Sequence, residues 1–425
     1  MRRSRATTLL ALVVAATSLA VAPAFAGQDK SRARDLGVPF EGRPGPLNAI
    51  TDVAGVEVGY TTLVSGDGPL VVGTGPVRTG VTAVWPRGKD DPAPVFAGWF
   101  ALNGDGELTG TTWVEDSGIM EGPFMITNTL SVGIVHHAVV RWGVRKSLDY
   151  RGPGYPPWLA SLPVVGETWD GTLNDILGQH VTEDDALSAL ASATGGPVME
   201  GNVGGGTGMI CHGFKGGTGT SSRRVSAADA EYTVGVLVQC NYGSRRLLRV
   251  AGVPVGREIP DLMPGVVDEP TSDAGGWPAG LAREGRHGPS RDAGAPPDEL
   301  GSIIVLVATD APLMSYQLER VARRVSLGLA RNGSVSGNGS GDIFMAVSTA
   351  NREAANTRSG AATLDMLANE ETGQFFAATV AATEEAVINA MVAAETMTGA
   401  DNVTVHALPH DRLRQILRRY NRLEE

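Results

Sequence analysis

The bond between Gly301 and Ser302 joins a segment poor in bulky apolar residues to an apolar strand, and this placement indicates chemistry at the serine. If the Ser302 hydroxyl attacked the Gly301 carbonyl, the peptide would become an ester, and its hydrolysis would leave Ser302 with a free α-amine. Such an amine has an ordinary pKa of about 7.7–8.0, so it can act as the base for its own hydroxyl. A glycine before the serine tolerates strained backbone angles. The pair predicts either self-cleavage or an ordinary turn into a strand.

A second glycine–serine pair, Gly339 and Ser340, is a competing cleavage site, but it follows a short Gly-rich turn and no dispensable tail. Ser340 lies 38 positions after Ser302, which is enough for a strand, a helix and a return strand. Ser340 and Asp342 are therefore predicted beside Ser302, where a hydroxyl and a carboxylate would orient its amine. The alternative is that these two residues only complete a turn.

Two further segments place polar groups near apolar strand candidates. Asn241 follows the strongly β-forming run 232–238, where its amide could donate to a developing oxyanion or only shape a turn. Glu167 lies two residues before Trp169, and a carboxylate close to an aromatic ring suits recognition of a substrate ammonium group. A surface acidic turn is the alternative for Glu167.

The Gly-rich segment 201–208 superficially resembles a dinucleotide-binding loop, but it lacks the helix and the later acidic partner of that motif. We expect its glycines to permit close packing of backbone segments instead. No cysteine or histidine spacing indicates a metal site, so neither a metal nor a cofactor is predicted. Two cysteines exclude a disulfide framework; Cys211 and Cys240 either pair with each other or remain buried thiols.

The composition of the chain limits its partners. The 425 residues carry a formal net charge of −11 and no extended basic patch, which argues against binding to nucleic acid. The 56 glycines occur largely in clusters, which indicates tight turns and close backbone approaches.

The N-terminus has the order of a secretory signal peptide. An arginine-rich start precedes an apolar run over 9–21 and small residues that end at 26. A membrane anchor is the alternative, but the run is short for a bilayer span. We therefore predict removal of residues 1–26, export to the periplasm or the medium, and a mature chain of residues 27–425 without a membrane span.

Hydrophobic periodicity predicts the elements that position these groups. The predicted strands are 56–59, 70–72, 94–100, 232–238, 303–308, 343–348 and 403–405, and the predicted helices are 130–145, 312–331 and 377–398. Between them, residues 258–299 are rich in Pro, Gly, Asp, Ala and Arg, a composition unlike that of an independently folding segment. This mixed order predicts a layered α/β or α+β sandwich.

Five segments together resemble the L-aminopeptidase/D-amidase-esterase family of the DmpA type, which includes β-aminopeptidases. These segments are residues 33–37, 48–53, 201–211, 305–313 and 339–344. The resemblance covers nearly the whole mature chain in the expected order. It implies a four-layer αββα sandwich like that of N-terminal-nucleophile hydrolases, with different connectivity, in a single catalytic domain.

The same resemblance implies that the chain cleaves itself before Ser302, with Gly301 in the place of the Gly or Asn that relatives carry there. The products would be an α chain of residues 27–301 and a β chain of residues 302–425. The end of the α chain, residues 258–301, would then be a flexible tail.

The resemblance also assigns roles to the residues around the nucleophile. Ser340 and Asp342 match the pair that orients it, although the acidic member is often the longer Glu. Asn241 matches the oxyanion asparagine. Trp169 occupies the place of a tyrosine that is the second oxyanion donor in relatives, and Glu167 matches a carboxylate that receives the free amine of the substrate.

The sequence therefore predicts a self-processing serine aminopeptidase or amidase that releases N-terminal residues from small peptides, amides or esters. Relatives form homo-oligomers, often tetramers, and the resemblance implies the same here. One alternative is a related autocleaving acyltransferase, although those enzymes use threonine and position 302 is serine. Another is an exported, non-enzymatic protein that binds a small ligand.

Overall fold

The computed structural model describes residues 30–91, 93–149, 162–266, 299–357 and 359–424; the predicted signal peptide lies outside these ranges. The strands are β1 (Glu57–Ser65), β2 (Val77–Trp85), β3 (Val95–Gly104), β4 (Ile119–Met120), β5 (Phe124–Asn128), β6 (Val164–Thr168), β7 (Ile210–Cys211), β8 (Phe214–Lys215), β9 (Gly217–Ala227), β10 (Ala230–Asn241), β11 (Gly265–Val266), β12 (Leu300–Thr309), β13 (Gly339–Ser348), β14 (Met397–Thr398) and β15 (Val403–Val405). The helices are α1 (Thr111–Ser117), α2 (Val132–Asp149), α3 (Glu183–Ser192), α4 (Val255–Glu258), α5 (Ser315–Arg331), α6 (Arg352–Ala355), α7 (Thr372–Val392) and α8 (His410–Arg419).

Two large sheets form the centre of the molecule. One has four strands in the order β1-β2-β5-β6, and the other has six in the order β4-β3-β13-β12-β10-β9. Strand β12 is therefore internal, parallel to β13 on one side and antiparallel to β10 on the other. Its apolar run has no polar face because side chains on both of its faces are buried.

Alternation along β12 divides its side chains between two cores. Ile304 and Leu306 pack between the two sheets with residues of β2, β5 and β6. Ile303 and Val305 point the other way, into the core formed with α5 and α7. Because successive strand residues face opposite sides, Ser302 shares the inter-sheet face with Ile304.

Helices cover the outer faces of both sheets. Helices α5 and α7 pack on the six-stranded sheet, and α2 and α3 pack on the four-stranded sheet. The layers therefore run helix, sheet, sheet, helix, and this confirms the predicted αββα sandwich. The stretch Asn369–Val392 is the one described helix long and apolar enough to cross a bilayer, and most of it is buried in the protein core.

The structure confirms most predicted elements and corrects others. Residues 70–72 do not form the predicted strand; Val71 makes only an isolated bridge to Gly75 within a turn. Strand β9, which periodicity did not indicate, is almost entirely buried despite its Ser, Thr and Arg residues.

The compositionally unusual segment is ordered at both ends. Its first residue ends α4, residues 265–266 pair with β15, and Leu300 begins β12. Residues 267–298, the rest of the predicted tail, lie outside the described ranges.

Candidate active site

Ser302 lies near the start of β12, directly opposite Asn241 on β10 and beside Gly341 on β13. Its hydroxyl oxygen accepts a hydrogen bond from the Gly341 amide at 3.3 Å. The residue is 5% exposed in the uncut chain. The predicted nucleophile therefore lies on an internal strand, between two hydrogen-bonded neighbouring strands, and not on a surface loop.

Gly301 occupies a position that other residues would not tolerate. Its φ of 120° lies in the region that favours glycine. A Cβ atom at this position would lie 2.1 Å from the carbonyl oxygen of Asn241. Gly301 thus lies so close to β10 that no residue with a side chain fits at this position.

Ser340 and Asp342 flank Ser302 along the neighbouring strand. The register pairs Gly301 with Ser340 and Ile303 with Asp342. The Ser340 hydroxyl donates to Asp342 Oδ1 at 2.7 Å, and both side chains are fully buried. Their face of β13 is the one opposite the face to which the Ser302 hydroxyl points. They therefore flank the backbone of Ser302 on the side of the sheet away from its hydroxyl oxygen.

Burial has the largest effect on the pKa of Asp342. It raises the pKa of this carboxyl group above the ordinary value, against the lowering effect of the Ser340 and Ser336 hydroxyls. The second oxygen, Oδ2, is buried without a well-formed hydrogen bond from the described residues. A cation next to Asp342 would satisfy this oxygen.

The Asn241 side chain is held at both ends of its amide. Oδ1 accepts the backbone N–H of Ile210 at 2.8 Å, and Nδ2 donates to the carbonyl of Trp169 at 2.9 Å. A primary amide has two N–H groups, so Nδ2 retains one donor. Since Asn241 and Ser302 are directly opposite and share the inter-sheet face, this donor belongs to the site of the nucleophile.

Trp169 follows the end of β6 and brings a second donor to this region. Its indole Nε1 is buried and has no hydrogen-bond partner among the described residues. Gly171 makes room for the ring, because a Cβ there would lie 2.6 Å from Trp169 Cζ2. A buried N–H without a partner is costly, and a substrate oxygen could satisfy it.

Glu167 lies near the end of β6 and is 3% exposed. The alternative interpretation of the sequence, a surface acidic turn, is therefore wrong. Oε1 accepts the Glu107 backbone N–H at 3.0 Å, and Oε2 accepts the Thr129 hydroxyl. Burial raises the pKa of Glu167, while these two hydrogen bonds lower it and the nearby charges of Glu107 and Asp105 raise it.

The loop around Gly106 brings Glu167 close to the nucleophile. A Cβ on Gly106 would lie 3.3 Å from Glu167 Oε1, and one on Gly341 would lie 2.8 Å from the Gly106 Cα. Gly341 in turn contacts Ser302. Only the closely packed backbone of these two glycines therefore separates the Glu167 carboxylate from Ser302.

The Gly-rich segment 201–208 packs behind this site and does not form a nucleotide loop. A Cβ on Gly205 would lie 2.2 Å from Gln239 Oε1, and one on Gly206 would lie 2.4 Å from the Thr218 nitrogen. Gln239 itself donates to Thr127 and Thr168 across the gap between the sheets. The glycines thus permit close packing, as predicted.

The structure shows three further features that sequence reasoning missed or left open. Cys211 and Cys240 form a disulfide. Lys215 is fully buried, and its only sequence signal is a lysine within an apolar, Gly-rich run. Asp170 is also buried, and burial raises its pKa to about 7.

Among the described residues, no histidine forms a hydrogen bond with the Ser302 hydroxyl. Gly341 supplies the hydrogen bond to Ser302, whereas His212 bonds the carbonyl of Ser244 and packs against Tyr242. Burial lowers the pKa of His212 to about 4, so this ring is neutral at mild pH. In the described part of the chain, no group of three or more His, Cys, Asp or Glu side chains is arranged to hold a metal ion.

Comparisons with known proteins identify the family of the chain. The sequence profile of peptidase family S58 matches residues 48–405. The β-peptidyl aminopeptidase BapA of Sphingosinicella microcystinivorans is 51% identical over 399 residues, 94% of each chain. BapA of Sphingosinicella xenopeptidilytica is 48% identical over 416 residues, 96% of this chain and 95% of the relative.

A solved structure extends the comparison to the fold. It is the L-aminopeptidase D-Ala-esterase/amidase of Ochrobactrum anthropi, described as a prototype of the serine aminopeptidases and a new variant of the Ntn hydrolase fold. It superposes with a TM-score of 0.80 at 46% identity and covers 93% of this chain and 100% of the solved one.

Proposed function

Because this chain belongs to peptidase family S58 and is an aminopeptidase with an Ntn hydrolase fold, we propose that it cuts itself between Gly301 and Ser302 and uses Ser302 as its nucleophile. The observation that carries the proposal is the position of this bond. It lies in an internal strand, between Asn241 and Gly341, with a strained glycine before the serine. Membership of a hydrolase family argues against the non-enzymatic alternative.

Self-cleavage conserves every atom of the precursor and adds one water. The Ser302 oxygen bonds to the Gly301 carbonyl carbon, the carbon–nitrogen bond breaks, and the hydroxyl proton passes to the nitrogen. Water then hydrolyses the ester, which yields a Gly301 carboxylate and restores the Ser302 hydroxyl. The nitrogen becomes an α-amine close to Ser340 and Asp342, whose unpartnered Oδ2 would receive the ammonium form.

The freed amine then takes the role of general base. It accepts the hydroxyl proton as the serine oxygen attacks the carbonyl of the substrate's N-terminal residue, and it returns the proton to the leaving amine. Asn241 Nδ2 and Trp169 Nε1 stabilise the oxyanion, and Glu167 binds the substrate's ammonium group. Water completes the cycle by hydrolysing the acyl-enzyme.

The substrates we propose are small peptides, amides or esters with a free N-terminal amine. Two relatives near 50% identity are named β-peptidyl aminopeptidases, which supports N-terminal β-residues as preferred substrates. Parallel kcat/KM values for chromogenic amides of one β-, one L-α- and one D-α-residue test this preference. A higher value for either α-residue would contradict it.

Intact mass and N-terminal sequencing test the self-cleavage. We expect an α chain that ends at Gly301 and a β chain of 124 residues that begins with Ser302. The Ser302→Ala variant should remain uncut and inactive. A single uncut species with full activity would contradict the proposal, and a β chain beginning at Ser340 would move the nucleophile there.

Three further proposals concern the whole protein. The signal-like residues 1–26 support export to the periplasm or the medium, and N-terminal sequencing of the α chain from a homologous host tests their removal. The family resemblance supports a homo-oligomer, which light scattering of the processed enzyme tests. We also propose that no cofactor takes part, and full activity after dialysis against a chelator tests the metal dependence.

A further inference from the structure

Lys215 presents an unusual chemical environment next to the proposed site. Its side chain is fully buried, and among the described residues its ammonium group donates only to backbone carbonyls: Met209 at 2.7 Å, Gly216 at 2.9 Å and Gly206 at 3.5 Å. Removal of a cation from water without an ion pair is costly. Burial and the charge of Lys30 lower the pKa of Lys215, to about 7, and Asp170 opposes this shift.

One of those carbonyls belongs to the peptide group that orients Asn241. The Met209 carbonyl and the Ile210 N–H are the two ends of one planar peptide unit. The carbonyl accepts from Lys215 Nζ and from the Gly216 N–H, and the Ile210 N–H donates to Asn241 Oδ1. A cation at the oxygen end strengthens the N–H as a donor, since chained hydrogen bonds polarise one another.

The disulfide holds the same two segments together. Cys211 directly follows Ile210, Cys240 directly precedes Asn241, and their Cα atoms are 5.7 Å apart. Both sulfur-bearing residues are fully buried. The disulfide therefore joins the two residues that are next in sequence to Ile210 and Asn241, the partners of the hydrogen bond.

We propose that Lys215 is a positioning residue for catalysis, which holds Asn241 in its oxyanion-binding orientation. It acts through the Met209–Ile210 peptide group, and the Cys211–Cys240 disulfide supports this arrangement. An asparagine amide can rotate and exchange its oxygen for its nitrogen. The Ile210 N–H is a donor, so it can pair only with Oδ1 of the amide. Nδ2 must therefore point towards Trp169 and Ser302. This inference rests on the role proposed for Asn241.

The test is a double-mutant cycle on the processed enzyme. Lys215→Met removes the charge and nearly keeps the length of the side chain. We expect kcat to fall about 5- to 100-fold, within the roughly 2- to 160-fold found for residues coupled in one hydrogen-bond network, with KM within about twofold of wild type. In an Asn241→Ala background, the same change should cost less than about twofold, because the group it positions is gone.

Lys89→Met is the matched control. The Lys89 ammonium also donates to a backbone carbonyl, that of Ala193, but it lies at the four-stranded sheet. We expect its kcat to stay within about twofold of wild type. Equal losses from Lys215→Met in both backgrounds would overturn the inference, since a merely structural role does not depend on Asn241.

A second variant covers failure of the first to fold or process. The double change Cys211→Ser and Cys240→Ser leaves the charge in place and removes only the covalent link. We expect a smaller fall in kcat that is likewise absent when Asn241 is alanine, and an equal fall in both backgrounds would overturn the coupling. If Asn241→Ala alone had wild-type kcat, the proposed role of Asn241 would fail instead, so the two failures are distinguishable.

Discussion

Asn241 and Ser302 lie directly opposite each other on the neighbouring antiparallel strands β10 and β12, and both side chains face the space between the two sheets. Directly opposed residues on one face have Cβ atoms about 4.5–5.5 Å apart. An amide donor at that distance suits the oxyanion formed when the serine oxygen attacks a carbonyl. The register of two strands therefore brings nucleophile and donor together without a flexible loop.

Replacement of Gly301 by alanine should slow self-cleavage. The new Cβ would meet the Asn241 carbonyl oxygen, and the strained φ alone costs about 1–3 kcal/mol. Relief of the clash moves β12 away from β10 and separates Ser302 from Asn241. The half-time of the precursor, followed by gel electrophoresis, measures the effect.

Gly252→Ala is the control for backbone strain. Gly252 also has a positive φ, 77°, but apart from its chain neighbours no atom of the described residues lies within 4 Å of a Cβ placed there. We expect processing at the wild-type rate in this variant. Equal processing of the Gly301 and Gly252 variants would show that the close approach has no role in cleavage.

Trp169→Phe removes the unpartnered Nε1 donor and keeps most of the ring. If this N–H binds the oxyanion, kcat should fall about 10²–10³-fold with little change in KM, as for loss of one oxyanion donor. Steady-state kinetics on one amide substrate measures both constants. Trp113→Phe, at an exposed position, should leave them unchanged, and an unchanged kcat for Trp169→Phe would remove the indole from the mechanism.

Glu167→Gln should weaken binding of substrates that carry an N-terminal ammonium group. A hydrogen bond to a charged group contributes about 1.5–3 kcal/mol, so KM should rise roughly 10- to 100-fold. Glu115→Gln is the control, because its side chain is exposed on α1 and neither of the hydrogen bonds to Glu167 involves it. A wild-type KM for Glu167→Gln would place the substrate amine elsewhere.

The pH dependence of KM follows from the raised pKa of Glu167. Burial favours the neutral acid, so the carboxylate is present only above this raised pKa. In the wild type, KM should therefore rise as the pH falls through that value. The Gln variant should lack this acid limb, and KM measured between pH 4 and 8 tests the difference.

Asp342→Asn should shift the acid limb of kcat to lower pH. A carboxylate near the freed amine of Ser302 stabilises its ammonium form, so neutralising Asp342 lowers the pKa of the amine by about one unit or more. The pH profile of kcat measures this shift. Ser340→Ala retains the charge and should not move the limb downward; an unmoved limb in Asp342→Asn would mean that the carboxylate does not face the amine.

Glu385→Gln should destabilise the fold without touching the site. Glu385 is fully buried and accepts from Arg223 at 2.7 Å and from Arg34 at 2.8 Å. Breaking a buried ion pair costs about 3–5 kcal/mol, whereas the neighbouring Glu384, paired with the more exposed Arg331, should contribute below about 1 kcal/mol. Urea unfolding of Glu385→Gln and Glu384→Gln measures both changes in the free energy of unfolding.

The pH adds a second test of this pair. Burial alone would raise the pKa of Glu385, but the hydrogen bond from Arg34 and the charge of Arg223 lower it overall. A lowered folded-state pKa stabilises the protein above the unfolded-state pKa and loses this effect as the pH falls through the folded value. The difference in stability between wild type and Glu385→Gln should therefore shrink in acid, and a constant difference would contradict this assignment.

Local patterns were sufficient for the elements around the nucleophile. The apolar run after Ser302 and the helical spacing after Pro312 predicted β12 and α5, because a buried strand and an amphipathic helix each have their own periodicity. The layered sandwich followed from the mixture of elements, and the likeness to a known family supplied the order of its layers. Strand β9 escaped prediction because its buried Ser, Thr and Arg residues do not produce an apolar pattern.

Only the tertiary structure decided how distant segments meet at the site. The register between Asn241 and Ser302 and the pairing of Cys211 with Cys240 depend on contacts between segments distant in sequence. The backbone N–H of Lys215 likewise donates to the distant carbonyl of His406. Sequence determines which residues can form a strand or carry a reactive group, since these properties are local. Which backbone carbonyl meets a lysine, or which amide faces a serine, depends on packing of the whole chain, and single residues do not encode it.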